Sequence, residues 1–154
     1  MTGFLGEYEV TLDAKGRFLL PAGIKKQLPE GENTPFVISR GFEPCITLYP
    51  KSSWDPIYQQ VAALNAFDPK VRQFQRFFLN GATPVELDSA SRLLVTKPLL
   101  EYAGITRDAI LVSHVNKIEI WDVQRHKQFF DSFTPESFSA LANEVMNKPP
   151  FPEG

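Results

Sequence analysis

Two stretches of this chain repeat one another without a gap. Residues 6–20 (GEYEVTLDAKGRFLL) align with residues 81–95 (GATPVELDSASRLLV) at an offset of 75 residues. The similarity continues with small shifts of register, because residues 35–39 resemble 109–113 and residues 46–49 resemble 118–121. A unit repeated in this way within 154 residues predicts two related fold units that share one core.

Each unit has the pattern of short strands interrupted by a brief helix. In the first unit Tyr8, Val10 and Leu12 alternate with polar residues, which is typical of a half-buried strand. An apolar triplet, residues 18–20, predicts a second strand, and Pro21 opens a short helix. The second unit repeats this order, so four strands are expected in each.

Amphipathic helices are predicted after each group of strands. Ser53 can cap one helix, the pair 68–69 (Asp-Pro) starts another, and 134–135 (Thr-Pro) starts the last. The expected organisation has five parts: a first unit at residues 5–51, a helical connection at 52–79, a second unit at 80–123, C-terminal helices at 124–147 and a flexible, proline-rich tail at 148–154.

The charge of the chain is low overall but unevenly distributed. The net charge is −2, whereas nucleic-acid-binding domains tend to be strongly basic. A basic cluster nevertheless occurs in the first unit after Asp13, formed by Lys15, Arg17, Lys25 and Lys26. A local positive face on a mildly acidic protein is therefore possible.

Several other classes of function find no support in the sequence. No apolar run approaches the roughly 18 residues that a membrane helix needs, so we expect a soluble, cytoplasmic protein without a membrane partner. The single cysteine, Cys45, is expected to be a buried structural thiol. His114 and His126 lack companions at metal-ligand spacing, and no nucleophile motif is present. We expect no metal, no cofactor, no catalytic residue and no enzymatic activity.

The repeated motif Asp-x-x-x-Arg carries most of the functional signal. It occurs as Asp13/Arg17 and Asp88/Arg92, each at a junction between two predicted strands, whereas a third instance at residues 68–72 lies on a predicted helix. Asp13 and Asp88 are expected to structure the turns by accepting backbone N–H bonds. The arginines then either only hold two strands together, or also reach DNA phosphates and base edges, with the help of Lys15.

Several ordered motifs resemble the MraZ family, bacterial transcriptional regulators of the division and cell-wall gene cluster. They are the doubled Asp-x-x-x-Arg blocks, the run 72–81 (RQFQRFFLNG) and the later 116–121 (NKIEIW), so that the resemblance covers residues 6 to about 130. Each half is also similar to the SpoVT/AbrB swapped-hairpin unit, whose hinge helix carries paired basic residues where this chain has Lys25 and Lys26.

The resemblance implies an α+β, β-rich fold, with two swapped-hairpin units in a pseudo-twofold β-barrel flanked by amphipathic helices. It also implies a nucleoid-associated, ring-like homo-oligomer that recognises repeated boxes in double-stranded promoter DNA, including the promoter of its own gene. Lys15, Arg17, Lys25, Lys26 and Arg92 are the expected DNA-binding residues.

The second unit has Ala90, Ser91 and Leu100 where the first has Lys15, Gly16 and Lys25, so the first unit is expected to contribute more to DNA binding. An alternative is an assembly module whose basic loops bind an acidic protein.

Overall fold

A computed structural model describes residues 3–147 as two similar series of strands and helices. The first series consists of β1 Glu7–Thr11, β2 Arg17–Leu19, α1 Ala22–Lys25, β3 Phe36–Arg40, β4 Ile46–Pro50, α2 Lys51–Ala62 and α3 Pro69–Asn80. The second consists of β5 Thr83–Val85, β6 Arg92–Leu94, α4 Lys97–Ala103, β7 Asp108–His114, β8 Lys117–Asp122, α5 Val123–Asp131 and α6 Pro135–Met146. The fold is α+β, as the family resemblance implies, and the strand pairs of its main sheet are antiparallel.

The two halves exchange strands. The six-stranded sheet has the order β1-β7-β8-β4-β3-β5, in which β1 of the first half pairs with β7 of the second and β5 of the second half pairs with β3 of the first. The hairpins β3–β4 and β7–β8 meet at the centre, where Ile46 lies opposite Ile120 and Leu48 opposite Ile118. Each half therefore completes the sheet of the other.

A separate two-stranded sheet, here called the β2–β6 ribbon, repeats this exchange. Phe18 lies opposite Leu93 at its centre, Arg17 opposite Leu94 and Leu19 opposite Arg92. The offset of 75 residues relates Phe18 to Leu93 within the central pair and converts each outer pair into the other. Phe18 and Leu93 are each 1% exposed, so they mark the inner face of the ribbon.

The main core contains apolar side chains from both halves. Its members include Leu12, Phe18, Leu20, Ile24, Phe36, Ile38, Ile46, Leu48, Leu93, Val95, Leu99, Leu111, Ile118 and Ile120. Because strands of both halves contribute to this one cluster, neither half can bury its apolar residues alone.

A smaller cluster holds α2 and α3 against the sheet. Trp54 of α2 stacks on Phe78 of α3 with ring centroids 5.7 Å apart, and Tyr49 of β4 lies 5.3 Å from Trp54. Other aromatic side chains of this helical region stay exposed, among them Phe67 and Phe77. The helices α2 and α3 therefore present an apolar surface in addition to the one they bury.

Most predicted helix boundaries agree with the structure. Asp68 caps α3 by accepting a bond from the Lys70 backbone N–H at 2.9 Å, and Thr134 and Ser137 form a capping box at the start of α6. Gly104 ends α4 in the left-handed region at φ = 67°. The prediction that Ser53 caps α2 is wrong, because α2 begins at Lys51, directly after Pro50, and Ser53 is buried within the helix.

The described chain divides into two compact units, one ending at Val123 and the other starting at Gln124. The second unit contains most of α5 and all of α6, and Phe138, Leu141 and Val145 on α6 are exposed. The five-part organisation predicted from the sequence stays a prediction, and its tail at residues 148–154 lies outside the described residues. None of the helices within residues 3–147 is long and apolar enough to span a bilayer.

Closure of the strands into a barrel is not confirmed. Within residues 3–147 the strands form an open six-stranded sheet, with β1 and β5 at its edges, and the separate β2–β6 ribbon. The ribbon is a separate sheet because β2 and β6 pair only with each other. The core nevertheless includes Phe18 and Leu93 of the ribbon, so both sheets enclose the same apolar cluster.

We predict that residues 1–80 produced alone do not form a folded monomer. In the full chain β1, β2 and β3 each pair with a strand of the second half, so the isolated half lacks all three partners. We expect it to be unfolded or to fold only as a dimer, which circular dichroism and analytical ultracentrifugation over a range of concentrations will distinguish. A folded monomer at low micromolar concentration would contradict the exchange of strands.

Candidate nucleic-acid interface

Asp13 organises the first turn, residues 13–17, by accepting three hydrogen bonds. Its Oδ1 accepts from the backbone N–H groups of Lys15 and Arg17, both at 3.0 Å, and its Oδ2 accepts from Arg17 Nε at 2.8 Å. The Gly16 backbone N–H also donates to the Asp13 carbonyl at 3.0 Å. The carboxylate therefore fixes both the backbone of the turn and the direction of the arginine side chain.

The second turn, residues 88–92, has the same geometry. Asp88 Oδ1 accepts from the backbone N–H groups of Ala90 and Arg92, and Oδ2 accepts from Arg92 Nε, each at 2.9 Å. Each distance differs by 0.1 Å from its counterpart in the first turn. Both carboxylates thus accept the backbone N–H bonds that the sequence analysis expects of Asp13 and Asp88.

Both turn carboxylates favour their charged form. The backbone N–H of Arg17 lowers the pKa of Asp13, and the Arg17 side chain and the Lys15 backbone lower this pKa further, although partial desolvation opposes them. The pKa of Asp88 is lowered in the same way, chiefly by the backbone N–H of Arg92. At neutral pH both turns are therefore closed by an ionised carboxylate.

The guanidinium groups keep donors for a ligand. Asp13 and Asp88 occupy the Nε–H groups, and the remaining N–H donors of Arg17 and Arg92, on Nη1 and Nη2, find no acceptor within residues 3–147. The side chains are 28% and 36% exposed. Each arginine is thus held at one edge while its terminal nitrogens stay open, the arrangement suited to a phosphate or a guanine base edge.

The β2–β6 ribbon brings the two arginines onto one face. Arg17 starts β2 and Arg92 starts β6, and the register makes them diagonal neighbours, which in antiparallel pairs lie about 7–8 Å apart. Leu19 and Leu94 occupy the other two positions of this face and are exposed. The sequence predicted a uniformly apolar second strand, but Leu19 points outward between buried Phe18 and Leu20. Neither exposed leucine was recognised as a candidate site residue.

Lysines surround the first turn more than the second. Lys15 and Lys97 both line an open pocket of about 460 Å³ beside the first turn, together with Gly16 and Leu100. Ala90 occupies the position in the second turn that corresponds to Lys15. Lys26, at the C-terminal end of α1, is exposed. The first turn thus has Lys15 and Lys97 beside it, and Lys97 belongs to the second unit. The four basic residues that the sequence groups in the first unit do not all lie at its turn, because Lys25 reaches the second turn.

Lys25 is directed towards the second turn. Its Nζ lies 2.7 Å from Glu32 Oε1 and 3.2 Å from Ser91 Oγ, and the Ser91 hydroxyl lies 3.4 Å from Glu32. Ser91 has φ = 61°, in the left-handed region where the first turn has Gly16 with φ = 84°. The side chain of Lys25, predicted to bind DNA, thus bridges α1 and the second turn.

An apolar contact takes the place of this bridge at the first turn. Leu100 of α4 corresponds to Lys25 in the repeat. Its Cδ1 lies so close to Gly16 that a Cβ at this position, as in alanine, would be only 3.2 Å away. The same added Cβ would lie 2.8 Å from the Val95 carbonyl oxygen, so only glycine fits there without a shift. The helix of each half therefore supports the turn of the other, with a polar contact on one side and an apolar contact on the other.

The other residues that the sequence analysis considered lie outside the two turns. Asp68 caps α3 and Arg72 Nη1 donates to the Ala66 carbonyl at 2.8 Å, so the third Asp-x-x-x-Arg is part of a helix start. Cys45 is a free, buried thiol, and burial raises its pKa well above the usual range. His114 Nδ1 lies 3.4 Å from Glu119 Oε2. Within the described part of the chain, no group of three or more histidine, cysteine or acidic residues is placed to hold a metal ion.

Comparison with known proteins identifies close relatives. The family model described as "MraZ protein, putative antitoxin-like" matches twice, over residues 4–77 and 78–148. The chain is 42% identical to the Transcriptional regulator MraZ of Cytophaga hutchinsonii over 93% of this chain and 94% of that one. Proteins of the same name from Christiangramia forsetii and Flavobacterium psychrophilum are 38% identical over 98% of this chain and 97% of that one, and 40% identical over 95% and 93%.

We predict that both turns stay closed at neutral pH and open only in acid. Because the folded pKa values of Asp13 and Asp88 are lowered, their contribution to stability is fully present above the ordinary value of 3.8 and is lost as the pH falls through the lower, folded values. NMR titration of the two carboxyl groups should give apparent pKa values below 3.8. Asp13→Asn should remove the titration at the first turn only. Titration of either carboxyl above 3.8 would contradict the hydrogen bonding described here.

We also predict that Lys25 orders the second turn selectively. Lys25→Ala should accelerate amide hydrogen exchange in residues 88–92 and leave residues 13–17 unchanged, because only the second turn touches the lysine. The double substitution Lys25→Leu with Ser91→Gly reproduces the Leu100–Gly16 contact and should restore slow exchange. Unchanged exchange at residues 88–92 in Lys25→Ala would show that the bridge has no structural role.

Proposed function

Because this chain belongs to the MraZ family, we propose that it regulates transcription by binding double-stranded promoter DNA. The family consists of transcriptional regulators, so no catalytic role is required, in agreement with the interpretation of the sequence. The regulatory role of this chain rests on its relatives, all three of which carry the name Transcriptional regulator MraZ. The use of DNA as the ligand rests on the geometry of the two turns.

The observation that supports DNA binding best is the pair of oriented arginines on the β2–β6 ribbon. A two-stranded antiparallel ribbon fits the major groove of B-DNA, and arginine is the commonest reader of guanine there. Asp13 and Asp88 hold Arg17 and Arg92 at Nε, so little side-chain freedom is lost on binding. The carboxylates themselves repel phosphate and act by fixing the arginines.

Two exposed lysines, Lys15 and Lys26, are proposed to add phosphate contacts. Lys15 belongs to the turn and is exposed, and Lys26 is exposed at the end of α1. Lys25 shares its ammonium with Glu32 and Ser91, so we propose that it supports the second turn instead of contacting phosphate. Since Glu32 also reduces the positive charge near Ser91, Arg17 should contribute more affinity than Arg92.

We further propose that the protein assembles into a ring-like homo-oligomer. The helical region around α2 and α3 exposes Phe67 and Phe77, and α6 exposes Phe138 and Met146, so two unlike apolar surfaces are available for contact between copies. Head-to-tail contact between unlike surfaces closes into rings when the rotation permits. A ring would link several weak DNA-binding faces and raise their effective concentration, which compensates for a net charge of −2.

The proposed targets are repeated boxes in the promoter of the division and cell-wall gene cluster, including the promoter of the protein's own gene. Repeated boxes match a ring, because several ribbons can then bind one promoter at once. We propose that the protein carries out this function in the cytoplasm, at the nucleoid. We also propose that the six-stranded sheet and the ribbon act as one pseudo-twofold barrel, because they share a core.

The alternative is an assembly module whose basic turns bind an acidic protein. The lysines of the first turn suit either ligand, but the oriented guanidinium groups favour duplex DNA, which offers base edges as well as charge. Polyglutamate is a probe for this alternative. Equal affinity and equal salt dependence for polyglutamate and for duplex DNA would support the assembly module and count against the proposed function.

We predict unequal effects of Arg17→Ala and Arg92→Ala on DNA affinity. Both should weaken binding to a duplex taken from upstream of the protein's own gene, and Arg17→Ala should weaken it more. Lys15→Ala should reduce the slope of log affinity against log salt by about one unit per binding site, because one phosphate contact is lost. Fluorescence anisotropy titrations at several salt concentrations will measure these effects.

The matched control is Lys51→Ala, which removes the same charge from α2, where Lys51 pairs with Asp55 and belongs to neither turn. It should leave the salt slope unchanged, and melting curves should show that all variants are folded. If Arg92→Ala proves more damaging to DNA affinity than Arg17→Ala while melting like the parent, the proposed asymmetry is wrong. If Lys51→Ala lowers the slope as much as Lys15→Ala does, the turns are not the DNA interface.

A further inference from the structure

Two leucines are exposed at the centre of the proposed DNA face. Leu19 is 61% exposed and Leu94 is 48% exposed, although both are large apolar residues in regular strands. They are related by the offset of 75 residues, so the exposure occurs at the same position of both halves. Scattered exposed leucines need no explanation, but a symmetric pair between two oriented arginines does.

The register of the β2–β6 ribbon places each leucine beside an arginine. Leu19 lies opposite Arg92 and Leu94 lies opposite Arg17. Directly opposed residues of an antiparallel pair have Cβ atoms about 4.5–5.5 Å apart. Because Phe18 and Leu93 face the core, the outer face of the ribbon consists of two arginines and two leucines in alternation.

This alternation matches the edges of base pairs in the major groove. Thymine presents a C5 methyl group there, while guanine presents the N7 and O6 acceptors that arginine binds. Successive bases are spaced about 3.4 Å along each strand, so an arginine and the leucine beside it can reach neighbouring base pairs. A protein partner is a poorer match, because a stable interface buries about 800 Å² on each side and this face presents four side chains.

We propose that Leu19 and Leu94 read thymine by contacting its C5 methyl group, next to the bases or phosphates that Arg92 and Arg17 bind. This inference rests on the proposed function, and it adds a specificity that the arginines alone do not supply. Leu19 reads one thymine on one side of the ribbon centre, and Leu94 reads another on the opposite side. Loss of one methyl contact should weaken binding about fourfold, the effect of burying one methyl-sized group.

The test replaces thymine by deoxyuridine, which lacks only the methyl group. A footprint first locates the protected segment upstream of the protein's own gene, and each thymine within it is then substituted in turn. The parent protein should lose about fourfold in affinity at particular thymines. Leu19→Ala should be insensitive to the substitution at one of these positions and Leu94→Ala at another, whereas Leu19→Met, which keeps an apolar contact, should respond like the parent.

Leu5→Ala is the matched control, since Leu5 is the same residue type and even more exposed, at 81%, but lies outside the ribbon. It should keep the full response to deoxyuridine. The inference is overturned if the parent binds thymine and deoxyuridine duplexes equally while its binding keeps a steep salt dependence, a result that leaves the proposed function standing. Absence of salt-dependent duplex binding would instead refute the proposed function and this inference with it.

A third result identifies a different role for the leucines. If Leu19→Ala and Leu94→Ala leave DNA affinity unchanged but shift the sedimentation of the protein, the two side chains form a contact between copies, and the reading of thymine is wrong. Melting curves accompany each titration. Because both leucines are exposed, the alanine variants should melt close to the parent.

Discussion

The antiparallel pairing of β2 with β6 is the contact on which the rest of the molecule depends. It joins the two halves through Phe18 and Leu93, which lie in the shared core, and it determines what the opposite face of the ribbon presents to solvent. A shift of register by one residue would bury the arginines and expose the core residues. The fold and the proposed DNA interface are therefore two faces of the same three-residue strands.

The turns show how a duplicated motif can keep its geometry while its surroundings diverge. Asp13 and Asp88 make matching hydrogen bonds, because both must hold an arginine at the start of a ribbon strand. The supporting contacts differ: Leu100 packs against Gly16, whereas Lys25 reaches Ser91 and Glu32. Since Glu32 is exposed, the ion pair between Glu32 and Lys25 contributes little to stability. The ion pair acts instead by directing the Lys25 side chain towards Ser91.

The repeat made much of the fold predictable from the sequence. The succession of strands and short helices along the chain follows from hydrophobic alternation, and the role of Asp13 and Asp88 in the turns follows from the chemistry of aspartate at strand junctions. The α+β class was implied by the family resemblance. The exchange of strands and the barrel were implied only by the family resemblance, and the barrel remains a proposal. Local patterns could not reveal that Lys25 meets Ser91, since 66 residues separate them. They also could not assign Leu19 to the outer face, because an apolar triplet in a strand does not show which members point outward.

If Arg17 and Arg92 form one DNA-binding face, bound DNA must shield both guanidinium groups from modification by phenylglyoxal. The reagent attacks exposed guanidinium groups, and mass spectrometry reports the rate at each arginine with and without the duplex from upstream of the protein's own gene. DNA should protect Arg17 and Arg92 together, while exposed Arg76 on α3, which lies outside the ribbon, reacts at the same rate in both samples. Protection of Arg76 with no change at Arg17 and Arg92 would contradict a DNA-binding face on the ribbon.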